Sequence, residues 1–435
     1  VRSVEARSAW VPWAMWSLGA LCYLTAMFHR MSLSAAGLTA QERFDIDATG
    51  LAAFAVVQLA LYALLQVPVG VGNDRWGPRV LLVGGMALMA AGSVVFALST
   101  AYPGAMVGRA LIGAGDACMF VSVLRIARNW FPGSRYAFVA ALTGMIGGLG
   151  QLVATSPLAA LLNSQGWTRA FLAASVVTVL ALVATAVALR ESPERRPARA
   201  DRPAPVERLG ASLRGTWRTR GVWHALLTHF VLMGTFVSFT AVLGQPFLVA
   251  AYGLSAGAAA GLVTVVVLGF VLSSTAAGQL ASRRPDLRSP LVLGAVVAML
   301  GGAALLVALP ASAGAAALLP ALIAIGVGGG VSMLAFDLAR SASPDHRAGV
   351  ASGLANMGGF TFAVIAQLGV GVVVDVLLAS GMSDGLAQRV GFAVPLTLAC
   401  AGAVGVFLLR RSAGRTVVER DPAPADTGRV LVPQG

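Results

Sequence analysis

Lysine is absent from this chain: all 31 basic residues are arginine, and they face only 18 acids, for a formal net charge of +13. With Ala and Gly so abundant, the missing lysine reads as codon bias and carries no mechanistic message. Charge of either sign is scarce too, at 11% of residues against 57% hydrophobic, with a mean hydropathy of +0.80. One soluble core cannot hide that much apolar surface, so the composition excludes a water-soluble enzyme or binding module and demands a lipid bilayer. A basic protein invites a nucleic-acid partner, but these arginines lie in short segments between apolar stretches and form no aromatic-laced patch, which excludes that partner. The three cysteines, Cys22, Cys118 and Cys400, all fall inside apolar runs, where a thiol behaves as a small hydrophobe, so no disulfide framework or metal cluster is indicated. No nucleophile–base set, phosphate loop or metal-ligand spacing is present either; the sequence is not that of an enzyme and calls for no cofactor.

What is present is long hydrophobic runs. Crossing about 30 Å of hydrocarbon takes about 20 apolar residues, and runs of that length fall at 11–37, 49–71, 80–100, 103–128, 136–163, 168–189, 222–250, 255–281, 289–310, 314–340, 348–378 and 390–410. The first exceeds the apolar core of a signal peptide, and His29-Arg30 stands where a cleaved leader has small residues, so it reads as a retained span. Arginine crowds the alternate connections: Arg2 and Arg7, Arg75 and Arg79, Arg128 and Arg135, Arg190 to Arg220, Arg283 to Arg288, Arg340 and Arg347, and Arg410 to Arg429. Little beyond Arg43, Arg169 and Arg389 lies on the other side. The positive-inside rule then predicts both termini in the cytoplasm and a multi-pass protein of the inner (plasma) membrane.

The Pro-, Arg- and Glu-rich stretch 190–221 divides the spans six and six. The expected organisation is a six-helix bundle over 1–190, a cytoplasmic linker over 191–221, a second bundle over 222–411 and a tail over 412–435. Within the linker, 206–219 is either a short interfacial helix with Val206, Leu209, Leu213 and Trp217 on its apolar side, or irregular throughout.

Between the second and third spans lies Gly70-Val-Gly-Asn-Asp74-Arg75-Trp-Gly77-Pro-Arg79, preceded by Tyr62, Gln66 and Pro68. This run resembles the loop between transmembrane helices 2 and 3 of the major facilitator superfamily. A degenerate copy, Gly278-Gln-Leu-Ala-Ser282-Arg283-Arg284, follows the eighth span with Ser282 where the first copy has Asp74, as a duplicated 6+6 chain would show. The resemblance covers approximately residues 11 to 411 and implies an all-α fold of twelve helices in two pseudo-symmetric bundles. Some residues resemble the superfamily's anion:cation symporter branch: Phe28-His29-Arg30, where that branch has an Asp-Arg pair; Arg109 to Asp116 followed by Arg125 and Asn129-Trp-Phe-Pro132; and Gly353-Leu-Ala-Asn356-Met-Gly358-Gly359. His29 departs from the branch's Asp, and span 7 lacks the arginine with which organophosphate antiporters grip phosphate. The glycines of a drug-antiporter signature, Gly144, Gly147, Gly148 and Gly150, lack their proline. The superfamily also implies that Asp74 holds the two halves together by capping the start of span 11, around Ala348 to Ser352, with Gly70, Arg75, Gly77 and Arg79 shaping the same conformational gate.

An arginine within a span is costly and seeks a polar cavity or a partner. Arg30 and Gln58 lie at matching depth, and Gln58, Tyr62 and Gln66 recur every four residues along one face of span 2. A guanidinium fork opposite a polar face is what a carboxylate ligand needs, so Arg30, Gln58 and Tyr62 are candidate substrate contacts, with His29, His229 and Asn356 completing the set; Thr240 and Gln245 are candidate cavity residues. Asp116, midway through span 4, shares a helix face with Arg109. Burial opposes its ionised form and a nearby cation favours it, so this pair is the candidate for proton coupling, the rival reading being a permanently ionised partner for Arg109 or Arg30. Titration range alone makes His29 a second candidate. Together these residues predict a secondary transporter, powered by the proton gradient and functional as a monomer, that carries a small organic anion inward by alternating access. The alternatives are a proton-coupled exporter of drugs or metabolites, and a transporter-like membrane sensor.

Overall fold

A computed structural model describes residues 10–46, 48–154, 156–192 and 209–410, and among these every regular element is a helix. Arg2, Arg7, Val206, the rest of 193–208 and the tail 412–435 lie outside the described residues. The first three spans are the helices α1 (Val11–Phe44), α2 (Ala48–Arg75) and α3 (Pro78–Leu98). Prolines open α1 and α3, where a missing N–H removes no helical bond. Span 4 is broken into α4 (Tyr102–Ala117) and α5 (Met119–Trp130) around Cys118, one residue after the helix turn that carries Asp116. Next come α6 (Gly133–Val153) and α7 (Ser156–Ala188), the latter losing helical geometry at Gly166 (φ 74°), a left-handed conformation that glycine adopts without a Cβ clash. After α8 (Leu209–Trp217), span 7 runs as α9 (Arg220–Ser238), a π-helical turn over Phe239–Leu243 and α10 (Gly244–Tyr252). Next are α11 (Ala256–Arg283) and α12 (Arg288–Ala308); span 10 is again broken, into α13 (Ala315–Val331) and α14 (Leu334–Ser341). The final spans are α15 (Ala348–Ala379) and α17 (Ala393–Leu409), with the short α16 (Asp384–Gly391) between them.

Among the described residues, 11 helices are long and apolar enough to cross a membrane, and the bent path through α6 and the start of α7 supplies the remaining predicted run. Polarity is inverted relative to a soluble protein. Val176, Leu180, Val183 and Val187 stand exposed along α7, while Gln58, Gln66, Asn73, Arg109, Asp116 and Asn356 are buried; lipid solvates the former and the helices must satisfy the latter among themselves. In the linker the helical alternative holds, over Leu209–Trp217, with Leu213 against the core and the Trp217 and Trp223 rings in edge contact at 4.6 Å.

The arginine-rich connections share one face. Arg79 donates its backbone N–H to Glu191 and its guanidinium to the Ala186 carbonyl, while Asn129 and Trp130, at the exit of α5, donate to the carbonyls of Glu191 and Arg190. On the opposite face Arg43 and Arg389 are tied to helix-end carbonyls: Arg43 to Ser99 at 3.0 Å, Arg389 to Ala251 at 3.0 Å and to Val307 at 3.2 Å.

The internal repeat is visible in contacts. A Cβ on Gly70 would lie 2.5 Å from the Gly349 carbonyl oxygen, and one on Gly278 would lie 2.9 Å from that of Ala137. Four residues beyond each glycine, Asp74 accepts from the Gly349 and Val350 N–H groups, and Ser282 accepts from the Phe138 N–H at 3.2 Å. Thus α2 meets α15 as α11 meets α6. The two breaks in spans 4 and 10 obey the same pseudo-symmetry, following helices of 16 and 17 residues.

Candidate functional site

A cavity of about 360 Å³ lies between the two sets of helices, lined from α1, α2, α4 and α5 by Tyr23, Arg30, Gln58, Tyr62, Asp116 and Phe120 and from the C-terminal helices by His229, Phe236, Thr240, Asn356, Phe360 and Gln367. Its polar wall is one connected network. The Arg30 fork is bidentate on Asp116, Nε to Oδ2 and Nη2 to Oδ1, both at 2.8 Å. Gln58 stands between two arginines: its Nε2 donates to Asp116 Oδ2 at 3.4 Å and its Oε1 accepts from Arg109. Arg109 also donates to the His29 carbonyl at 3.1 Å and to Ser32 Oγ at 3.3 Å. The Arg30 guanidinium rests 4.2 Å from the Tyr62 ring centroid and 5.1 Å from that of Phe360, so two aromatic faces add cation–π attraction to the ion pair.

Across the interface Asn356 donates to Tyr62 Oη and to Gln66 Oε1, both at 2.8 Å. The cavity therefore touches a direct hydrogen-bond link between α2 and α15. A second cavity of about 590 Å³ shares Thr240, Ala241 and Val242 with the first and continues past Gln245, Asp384 and Gln388 toward the arginine-poor face. The shared residues are those of the π-helical turn.

On the arginine-rich face the two sets of helices are tied together. Asp74 Oδ1 accepts from the Gly349 N–H at 2.9 Å and Oδ2 from that of Val350 at 3.1 Å, in the first turn of α15, where helical N–H groups lack internal partners. Arg125, from the span-4 exit, pairs with the same carboxylate at 3.1 Å. Gly70, Gly349 and Gly353 let the backbones touch: a Cβ on Gly353 would lie 2.3 Å from the Gln66 carbonyl oxygen. Gly77 holds φ 86° at the start of α3. Arg75, exposed, is the last residue of α2, and Arg79 ties the start of α3 to the end of α7.

The profile of the Major Facilitator Superfamily matches residues 19–367. The chain belongs to this superfamily. The inner membrane transport protein YajR of Escherichia coli K12 is 47% identical to this chain over 62 residues, 14% of each. A probable L-galactonate transporter of the same organism is 27% identical over 150 residues, 34% of this chain and 33% of that one, and the hexuronate transporter of Bacillus subtilis 168 is 24% identical over 165 residues, 38% and 39%. The chain thus aligns with less than half the length of these curated relatives. In fold, the structure is similar to a superfamily transporter solved in an outward conformation, FucP, with a TM-score of 0.67 at 15% identity over 92% of this chain and 99% of that one. The all-α superfamily fold and the absence of an enzyme class follow from these matches.

Several sequence-derived expectations change in detail. Asp116 shares a helix with Arg109 but does not ion-pair with it; its partner is Arg30 on α1, because Gln58 fills the space between Asp116 and Arg109. His29 does not line the cavity: its Nε2 is 2.8 Å from Thr178 Oγ1 on α7, so it faces away from the ligand space. The glycines of α6 act in packing, Gly147 and Gly150 against Tyr23 and Met27 of α1 and Gly144 against Met333. Two features went unread. Gln367 lines the cavity, and its spacing of eleven residues, three helical turns, from Asn356 was the signal. Asp337, fully buried in α14, pairs with Arg288 at 2.7 Å beside Arg340, which sits 5.1 Å over the Tyr136 ring of α6; an acid inside a predicted span was the signal there.

Proposed function

We propose that this superfamily member is a proton-coupled symporter of a small organic anion, working by alternating access between two bundles, 1–190 and 222–411, with both termini in the cytoplasm and the arginine-rich face cytoplasmic. The observation that carries the reading is the Arg30–Asp116 pair at the cavity wall. A guanidinium fork occupied by an internal carboxylate is unavailable to an external one. Protonating Asp116 releases it, and an incoming carboxylate then takes both N–H groups in its place. Substrate and proton so enter together, because either alone leaves an unpaired charge in a low-dielectric site. Relatives named for galactonate and hexuronate transport support an anionic cargo.

In this cycle the structure corresponds to the state open toward the arginine-poor side, with Asp74 and α15 closing the cytoplasmic side. The deciding experiment uses proteoliposomes with an imposed inward proton gradient. Accumulation of a labelled organic acid, abolished by a protonophore, is the expected result; extrusion would make the protein an exporter, and ligand binding without flux in either direction would make it a sensor.

A further inference from the structure

We infer that the cavity is shaped for a monocarboxylate with a flat apolar body and one hydrogen-bonding group at its far end, and not for a polyhydroxylated sugar acid. The inference rests on the organic-anion reading above and narrows it. Away from Arg30 the walls are apolar: Met27, Met31, Leu59 and Phe120 on one side, Met233 and Met333 on the other. Phe236 and Phe270 lie stacked, centroids 4.6 Å apart and planes 18° apart, and both border the cavity. Rings stacked this way brace each other and give the cavity a rigid aromatic border, and methionine thioethers pack adaptably against an aromatic guest.

The polar groups present are largely spent on one another. Asn356 commits its amide to Tyr62 and Gln66, Thr240 donates to the Phe236 carbonyl at 2.9 Å, and Gln58 is held between Arg109 and Asp116. By contrast, among the described residues neither ring nitrogen of His229 has a partner although the residue is 1% exposed, and Nε2 of Gln367 has none. Both belong to the C-terminal helices, His229 to α9 and Gln367 to α15. His229 is fixed there by edge contact with Phe336 at 5.0 Å and by Gly359, where a Cβ would come within 2.6 Å of Nδ1. Gln367 lies seven residues beyond Phe360 on α15, about 10 Å of helical rise from the ring that packs on Arg30, so its unpartnered amide describes a ligand with a charge at one end and a single donor or acceptor at the other, while the imidazole of His229 borders the space near the level of Phe360. A sugar acid carries a hydroxyl on nearly every carbon, and each one stranded against methionine or phenylalanine costs about tenfold in affinity. The match is therefore to chemistry unlike that in the names of the galactonate and hexuronate relatives.

The test is calorimetric titration of the full-length protein in lipid nanodiscs, at mildly acidic pH, with phenylacetate, 4-hydroxyphenylacetate and D-gluconate. Both aromatic acids should bind at least about tenfold more tightly than gluconate, and the distal hydroxyl should add about fivefold. Gln367→Leu and Gln367→Ala should each erase that fivefold margin, so that 4-hydroxyphenylacetate binds no more tightly than phenylacetate; using both guards against one variant failing to fold. Gluconate binding equal to or tighter than phenylacetate overturns the inference, as does a hydroxyl margin that survives both variants. Failure of the underlying anion reading looks different: none of the three acids binds to a protein that still unfolds cooperatively, and the inference falls with it.

Discussion

On the proposed mechanism Arg30 is the point of exchange, because its fork, bidentate on Asp116, can satisfy only one carboxylate at a time. Replacing it with lysine keeps the charge but offers a point donor where Asp116 now receives two parallel bonds. Anion affinity should fall roughly ten- to hundredfold while expression and thermal stability persist; near-normal uptake by Arg30→Lys would remove Arg30 from the site. Asp116→Asn carries the complementary prediction. The amide mimics the protonated acid and leaves the fork open, so substrate exchange across proteoliposomes should continue with little pH dependence, and accumulation driven by a proton gradient should vanish. Loss of both activities would make Asp116 structural; survival of both would move coupling elsewhere. At this scale the sequence revealed depth but not partnership. The matching levels of Arg30, Gln58 and Tyr62 followed from counting along helices, and all three line the cavity. Which arginine Asp116 chooses did not, because that depends on Gln58 reaching across from another helix, and His29 faces α7 for the same kind of reason.

Helices were legible where hydrophobicity is continuous and opaque where it hides a change in geometry. The predicted runs matched the helices because lipid imposes length and composition together. The breaks at Cys118 and between α13 and α14, and the π-turn at Phe239–Leu243, sit inside spans whose mean hydropathy is 1.7 to 2.0, so averaged hydropathy does not mark them. On the proposed cycle, the contact between α2 and α15 is where a change should shift the conformational balance. Asp74→Asn removes a full charge from the N-terminus of α15, a change of roughly 0.3–2 kcal/mol, and from Arg125 at 3.1 Å. Gly353→Ala perturbs the same contact sterically, since its Cβ would lie 2.3 Å from the Gln66 carbonyl oxygen. Both variants should open the arginine-rich side. A cysteine placed in the second cavity at Gln388 should then lose reactivity toward a membrane-impermeant thiol reagent; unchanged labelling in both would show that this contact does not set the balance.

For the whole molecule, duplication has produced two cross-half contacts that correspond in position and differ in electrostatics. Asp74 meets the N–H groups of the second and third residues of α15, which have no helical acceptors. Ser282 meets Phe138, which lies six residues into α6, where the helix already provides an acceptor and the dipole end is a turn and a half away. A hydroxyl suffices there, which gives a physical reason for the degenerate second copy of the loop motif. The sequence displayed the substitution of serine for aspartate but not this offset, because it depends on where α6 begins relative to its partner. If position within the helix decides the energy, the carboxylate cannot be moved from one contact to the other. The double variant Asp74→Ser/Ser282→Asp should therefore remain shifted toward the state open on the arginine-rich side, labelling at Gln388→Cys as weakly as Asp74→Ser alone. Recovery of the parental labelling would mean that any charge across the interface serves, and that net electrostatics between the halves, not the capped first turn of α15, holds the carrier closed.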